Sequence, residues 1–388
     1  MFSSRFHWDL RPNRLARALA EKRRAGARLL DLTESNPTRA GIDYPPEILA
    51  AFDDPAMLAY APAPAGARRA REAVAAYYAA RGERVEPERI LLTASTSEAY
   101  AYLFKLLADP GEHVLVPRPS YPLFEFLAAM ESIEVRPYPL AYHGGWSIDL
   151  DALETAISPR TRAVALVHPN NPTGSYVKRF ELESLARLGA GRGIAIVSDE
   201  VFSDYAFAPD PQRVATLAGF DECLGFAMSG LSKVAGLPQM KLGWIVVSGP
   251  PALRAEAMEK LEWIADTYLS VGTPVQCAAS KLLAAGEAVR RRIRRRTADN
   301  LTHARAILAG SAANILAVEG GWYIAVQLPR IRSEEEWALE LLERENVQTQ
   351  PGFFYDFESE AFLVLSLLTA PETFREGCRR LLARVDGA

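Results

Sequence analysis

Between Ile90 and Val247, short apolar runs alternate with amphipathic helical stretches, and this alternation restricts the chain to one broad architecture. The runs Ile90–Leu92, His113–Val116, Ile133–Pro137, Ala163–His168, Ile194–Ser198, Leu224–Ser229 and Gly243–Val247 have strand length, and several end on proline or turn residues. Between them, Ser97–Leu107, Leu123–Met130 and Arg179–Gly189 repeat apolar residues at helical spacing. Such alternation predicts an α/β domain on a mostly parallel mixed sheet flanked by helices. Ligands of these sheets bind beyond the carboxyl ends of the strands, so the residues that follow each run are where chemistry is expected.

After about Ser280 the pattern changes. A long charged helix, Gly286–Leu308, leads to strands Trp322–Gln327 and Phe362–Ser366 with helices around them. This predicts a smaller α+β domain, to which the N-terminal segment Leu29–Ala40 is expected to contribute. The expected division is an N-terminal arm over 1–45, a large ligand-binding domain over 46–280 and a small C-terminal domain over 281–388. A chain of 388 residues, 49% hydrophobic, has enough apolar material for two cores.

A formal net charge of −4 argues against nucleic acid as the main partner. The run Arg290–Arg296 reads as a solvated helix face, since Glu287 and Asp299 flank it at helical spacing. Cys223, Cys277 and Cys378 are odd in number and far apart, which suits neither a disulfide framework nor a metal site. No apolar run approaches the ~20 residues needed to span a bilayer, and the N-terminal stretch lacks a signal-peptide core. A cytoplasmic protein without a membrane partner is expected.

Four clusters stand at predicted strand ends. Ser95, Thr96 and Ser97 open a helix, with Glu98 three residues after Ser95. That is a capping pattern, and hydroxyls with free N–H groups at a helix N-terminus also bind anions. Asn170-Asn171-Pro172-Thr173-Gly174 follows Ala163–His168 as a tight turn, in which Asn171 can offer an amide donor. Asp199-Glu200 follows Ile194–Ser198, and a carboxylate at the end of a buried strand is costly unless it meets a cation. Finally, Ser229–Trp244 (SGLSKVAGLPQMKLGW) sets Lys233 among small residues, with a second cation, Lys241, across the turn. Taken singly, each has an ordinary structural explanation: a helix cap, a plain turn, a loop acid, a surface lysine. Together, an anion cradle, an amide donor, a strand-end carboxylate and a loop lysine match one ligand, pyridoxal 5′-phosphate.

These motifs, HPNNPTG, SDEVFSDY and SGLSKVAGLPQMKLGW, come in an order and spacing that resembles the fold-type I pyridoxal-phosphate enzymes, specifically the class I/II aminotransferase family. The resemblance covers nearly the whole chain. It implies an aminotransferase moving an amino group between an amino acid and a 2-oxo acid, with a lyase, decarboxylase or synthase on the same fold as the alternative. It further implies that Lys233 forms the Schiff base with the cofactor and then carries the proton between substrate and cofactor. Asp199 matches the acid paired with the pyridine nitrogen, and Asn171 the donor to the ring's 3-oxygen. Tyr121 matches the stacking aromatic. Ser95, Thr96, Ser97, Ser232 and Lys241 match the groups around the phosphate. Tyr60 matches a tyrosine that reaches the phosphate from a neighbouring subunit, which implies a homodimer with shared active sites.

The chain departs from the family pattern at four points. Lys241 stands where arginine is usual, keeping the charge and losing the bidentate fork. Phe202 stands where a tyrosine usually donates to the 3-oxygen, which leaves Tyr205 or another donor to reach it. Gly230 stands where serine is common, leaving Ser229 or Ser232 to substitute. Val364 stands where an arginine usually grips the substrate carboxylate, and Arg39 is a candidate replacement on position alone. Trp322 and Phe353-Phe354-Tyr355 are expected to wall the substrate side.

Overall fold

In the computed structural model, residues 2–6, 8–9 and 11–387 are described. The strands are β1 (Leu30–Asp31), β2 (Ile90–Thr93), β3 (His113–Arg118), β4 (Glu134–Tyr142), β5 (Trp146–Ile148), β6 (Thr161–Val167), β7 (Ala195–Asp199), β8 (Gly225–Gly230), β9 (Gly243–Ser248), β10 (Asn314–Ile315), β11 (Tyr323–Gln327), β12 (Val347–Gln348), β13 (Gln350–Pro351) and β14 (Phe362–Ser366). Eight form one sheet in the order β2-β9-β8-β7-β6-β3-β4-β5. β8, β7, β6, β3 and β4 run parallel, while β9 and β5 pair antiparallel with their neighbours.

The central strands are apolar throughout because helices cover both faces of the sheet. Alternate residues feed two cores: Leu166, Ile196 and Ala227 on one face, Ala165, Val197 and Met228 on the other. Strand polarity brings the carboxyl ends of β2, β3, β6, β7 and β8 to one edge, and the predicted site clusters follow those ends.

A second, antiparallel sheet has the order β10-β11-β14-β13. The N-terminal segment packs beside it through a separate two-stranded sheet, and so contributes to the small unit as expected. Leu30 pairs with Val347 in a parallel β1–β12 ladder, the Ser366 amide donates to the Leu32 carbonyl at 2.7 Å, and Leu32 sits in the same core as Ile324, Leu363 and Phe374.

The long helix differs from the sequence expectation. It runs over Thr273–Leu308, 36 residues, or about 54 Å at 1.5 Å per residue. Its first turns are alanine-rich and bury Val275, Ala278, Ala279 and Leu282, so they lack the charged face that marks the later part. Gly286 in mid-helix is a point of close approach, since a Cβ there would lie 2.3 Å from Cβ of Ala235.

The arginine run is the expected solvated face over most of its length, since Arg291, Arg292, Arg294 and Arg295 are exposed, but it also serves the fold. Arg290, however, turns inward to Asp204 and donates to the Val234 carbonyl at 3.4 Å. Arg292 donates to the Asp43 carbonyl at 2.6 Å, and Arg296 to those of Ala40 and Leu368 at 3.0 and 3.3 Å. Unpaired backbone carbonyls recruit the guanidinium donors that composition alone assigns to water.

The contact at Gly286 is testable by thermal unfolding. Gly286→Leu is expected to destabilise by about 1–3 kcal/mol through overpacking. Gly191→Ala, at an exposed position of the helix Arg179–Arg192 with nothing within 4 Å of the new carbon, is expected to be neutral or stabilising by up to ~1 kcal/mol. Equal effects of the two substitutions would refute the close packing.

Candidate active site

A cleft of about 470 Å³ lies over the carboxyl ends of β2, β6, β7 and β8, and Ser95, Thr96, Ser97, Tyr121, Asn171, Asp199, Ser232, Lys233 and Lys241 all line it. Of the residues singled out from sequence for the cofactor, only Tyr60 lies elsewhere. It is 77% exposed and borders a separate hollow with Ser270 and Gln276.

Lys233 sits on a short helix, Leu231–Val234, that leaves β8 directly. Its Nζ stands 4.9 Å from the ring centroid of Trp322 and 5.5 Å from that of Phe202. Burial disfavours the ammonium and brings the amine down to about 8, while the carboxylate of Asp199 acts in the opposite sense. The backbone of this turn is pinned from several sides. The hydroxyl of Tyr205 donates to the Lys233 carbonyl, and the Leu231 amide donates to the Leu242 carbonyl at 2.9 Å. Glycine at 230 has a steric cause, since a Cβ there would come within 3.0 Å of Gly243 Cα and of the Leu242 oxygen. Of the two serines proposed in its stead, Ser232 lines the cleft, whereas Ser229 is buried with its Oγ unpartnered.

Asp199 ends β7 facing the cleft. Burial raises its carboxyl to about 6, against the lowering effect of the Val201 amide, the Tyr100 hydroxyl and Lys233. The Val201 amide donates at 3.2 Å and the Tyr100 hydroxyl at 3.4 Å. Among the described residues no salt bridge neutralises it. Glu200 points the other way, as strand alternation requires, and accepts from the Ser198 and Thr216 hydroxyls and the Leu217 amide. Asp199 is therefore the member of the pair that is available to a ligand.

Asn171 is 8% exposed and its Oδ1 has no partner. Its turn is closed by the Asn170 amide donating to the Ser175 carbonyl and the Gly174 amide to the Asn170 carbonyl, both at 2.8 Å. Behind it, His168 accepts from the Val177 amide at Nδ1 and donates from Nε2 to the Val214 carbonyl, both at 2.9 Å. Burial drives this imidazole down to about 3, so it stays neutral.

At the cradle, Ser95 caps the helix Thr96–Leu107 by accepting from the Glu98 amide at 3.2 Å. Glu98 takes the Ala94 amide at 2.6 Å instead of that of Ser95. The N–H groups of Thr96 and Ser97, in the first turn, have no intrahelical acceptor. Lys241 stands exposed across the cleft, in left-handed backbone at φ 51°. Helix N-terminus, hydroxyls and ammonium together make an anion site.

On the substrate side, Phe202 is buried edge-on to Trp322, with centroids 5.2 Å apart. The Tyr205 hydroxyl is committed to the Lys233 carbonyl, so it does not replace the missing phenol, and Asn171 is left as the donor in reach of a ring oxygen. Val364 is buried in β14 opposite Ala325 and Gln350 and does not line the cleft. Arg39 is exposed and does not line it either. Ser35, Tyr100, Tyr323 and Gln350 do line the cleft and were not anticipated. Tyr100 carried a usable signal, being a polar-tipped ring five residues past the cap on the sheet-facing side of its helix.

A strand-end carboxylate with no salt bridge, a partly neutral amine, an amide lining the cleft that can donate an N–H, and an anion cradle form a set that fits pyridoxal 5′-phosphate. Ring nitrogen, aldehyde, 3-oxygen and phosphate each find a group of suitable charge.

The family model for aminotransferases of class I and II matches residues 27–381. Over 385 residues the chain is 30% identical to an arginine–pyruvate transaminase of Pseudomonas aeruginosa, covering 96% of this chain and 93% of that protein. A crystal structure of an aminotransferase from Escherichia coli superposes with a TM-score of 0.86 at 23% identity, covering 100% and 98% of the two chains, which shows the fold. A Thermus thermophilus aspartate aminotransferase double mutant superposes with a TM-score of 0.82 at 27% identity, covering 99% of each.

The lowered amine is measurable without catalysis. In apoprotein, labelling of Lys233 by an amine-directed reagent is expected to titrate near the value of about 8. In Asp199→Asn the midpoint should move lower still, because the lost carboxylate no longer favours the ammonium. A midpoint near ~10.4, that of a free lysine, would overturn the burial argument.

Proposed function

The chain belongs to the class I and II aminotransferases and is a pyridoxal-phosphate-dependent transaminase, moving an amino group between an amino acid and a 2-oxo acid; we propose that Lys233 is the residue through which it does so. The observation that carries this reading is the juxtaposition, in one cleft, of an amine lowered to about 8 and an otherwise unpaired Asp199.

Bound pyridoxal 5′-phosphate supplies an aldehyde that captures amines and a ring that accepts an electron pair from the substrate carbon. Lys233 would anchor the group through its neutral amine, and the same amine, when free, would serve as base and then acid for the proton of the substrate Cα. Asp199 would hold the protonated pyridine nitrogen, Asn171 would donate an N–H to the 3-oxygen, Ser95, Thr96, Ser97, Ser232 and Lys241 would hold the phosphate, and Tyr121 would cover the ring. Phe202 and Trp322 keep water from the amine.

A homodimer belongs to the same proposal. Tyr60 would complete the phosphate cradle of the neighbouring subunit, which is supported by its exposure within its own chain. Trp263, at 72%, and Leu58, at 88%, are large apolar side chains left open as well. A cytoplasmic location is supported by three cysteines without disulfide partners; no helix among the described residues is long and apolar enough to cross a membrane. A large and a small unit are supported by the two larger sheets, whose strands fall within 90–248 and 314–366, while residue 280 itself lies inside the helix Thr273–Leu308 that joins them.

The experiment is a half-reaction followed by absorbance. An amino donor alone should remove the visible band of the holoenzyme, and a 2-oxo acid should restore it. Lys233→Ala is expected to lose both the band and the transfer. Asp199→Asn is expected to fold and to slow by on the order of 10²-fold, the scale of one preorganised electrostatic contact. Normal turnover by Lys233→Ala would sink the mechanism.

A further inference from the structure

The cleft at Lys233 adjoins a second hollow of about 540 Å³. Tyr121, Phe124, Gln350 and Tyr355 line both. The volume falls within the ~300–1,000 Å³ typical of small-molecule sites, so the cofactor cleft has a neighbour large enough for a substantial group.

Its outer walls are aromatic. Phe126, Phe353 and Phe354 line it in addition to the shared rings. Tyr121 is 48% exposed, Phe126 43% and Phe353 42%. Tyr121 faces the cofactor cleft as well, but Phe126 and Phe353 are two large apolar rings left wet around one hollow, which is unusual for ordinary packing, since burying each would be favourable. The rings are held in place: Phe353 meets Phe354 edge-on at 4.8 Å, and Trp8 leans on Phe126 at 5.0 Å. Their apolar surface is thus presented without being consumed by the core.

The charged groups at this hollow do not select an acidic guest. Arg118, Glu125 and Asp356 line it, one cation against two anions. Arg118 donates from Nε to the Asp356 carbonyl at 3.0 Å, which keeps its stem at the rim. The single excess anion favours a basic side chain only weakly at an open, solvent-screened rim, whereas an aromatic side chain gains stacking and burial against several rings.

We propose that this second hollow receives the substrate's side chain, and that the enzyme prefers amino acids and 2-oxo acids bearing a large aromatic side chain. The inference rests on the reading of Lys233 given above, because the side chain projects from a carbon placed at that amine. A methyl side chain would leave the hollow to water.

The test uses the holoenzyme and unreactive acids that lack the amino group. Dissociation constants of propanoate, 3-phenylpropanoate, indole-3-propanoate, glutarate and 4-guanidinobutanoate are measured by calorimetry. The two aryl acids are expected to bind at least about tenfold more tightly than propanoate, the ratio that burial of a ring supports. In Phe353→Ala and Phe126→Ala that ratio should fall at least about threefold, a comparison made within each variant and so independent of overall stability. Equal binding of propanoate, first place for glutarate or the guanidino acid, or a ratio unmoved in both variants would each overturn the proposal. Failure of every amino donor to bleach the visible band would instead overturn the reading of Lys233.

Discussion

The turn that carries Lys233 is held through its backbone, and the cleft depends on that fixation. Tyr205 takes the carbonyl of Lys233, Arg290 that of Val234, and Gly286 lets the long helix press against Ala235. Arg290 is itself anchored by Asp204, which also binds Arg81 at 2.6 Å and accepts from the Tyr77 hydroxyl at 2.9 Å. Removing one member of such a half-buried cluster would strand the others without compensation. The side chain of Lys233 is thereby left free of structural duty, since no hydrogen bond or ion pair of its Nζ is needed to hold the turn.

Burial then acts on the two ionisable groups in opposite directions. It lowers the amine of Lys233 to about 8 and raises the carboxyl of Asp199 to about 6. Each is brought towards neutrality, and each partly offsets the cost of the other's charge. Phe202 and Trp322 contribute through low polarity, with no hydrogen bond to the amine.

Much of this was legible in the sequence because the informative residues are grouped. The strands of the large sheet are apolar runs with clear ends, and Ser95–Ser97, Asn171, Asp199 and Lys233 each follow one of them. What escaped is what long-range contact decides. Gln350 belongs to a two-residue strand, too short for any periodicity to register, and Ser35 and Tyr323 come from opposite ends of the chain. Tyr205 looked like a spare phenol for the cofactor and proved to serve a backbone carbonyl. The arginine run is surface over most of its length, as it reads, but its bonds to the carbonyls of Ala40, Asp43, Val234 and Leu368 escaped because backbone acceptors are invisible to side-chain patterning. Glycine at 230 looked like a lost serine, but the close approach of Gly243 makes any side chain there tight.

The imidazole behind the Asn171 turn has its own consequence. His168 is fully engaged at both ring nitrogens and is pushed so low that it keeps one proton throughout the range where Asp199 and Lys233 change charge. Residues of this type ordinarily make a loop responsive to acidity, and here burial silences that response. The amide of Asn171 therefore rests on a support that is inert to pH. Changes in acidity can alter the charge within the cleft while the wall beside the ring keeps its shape.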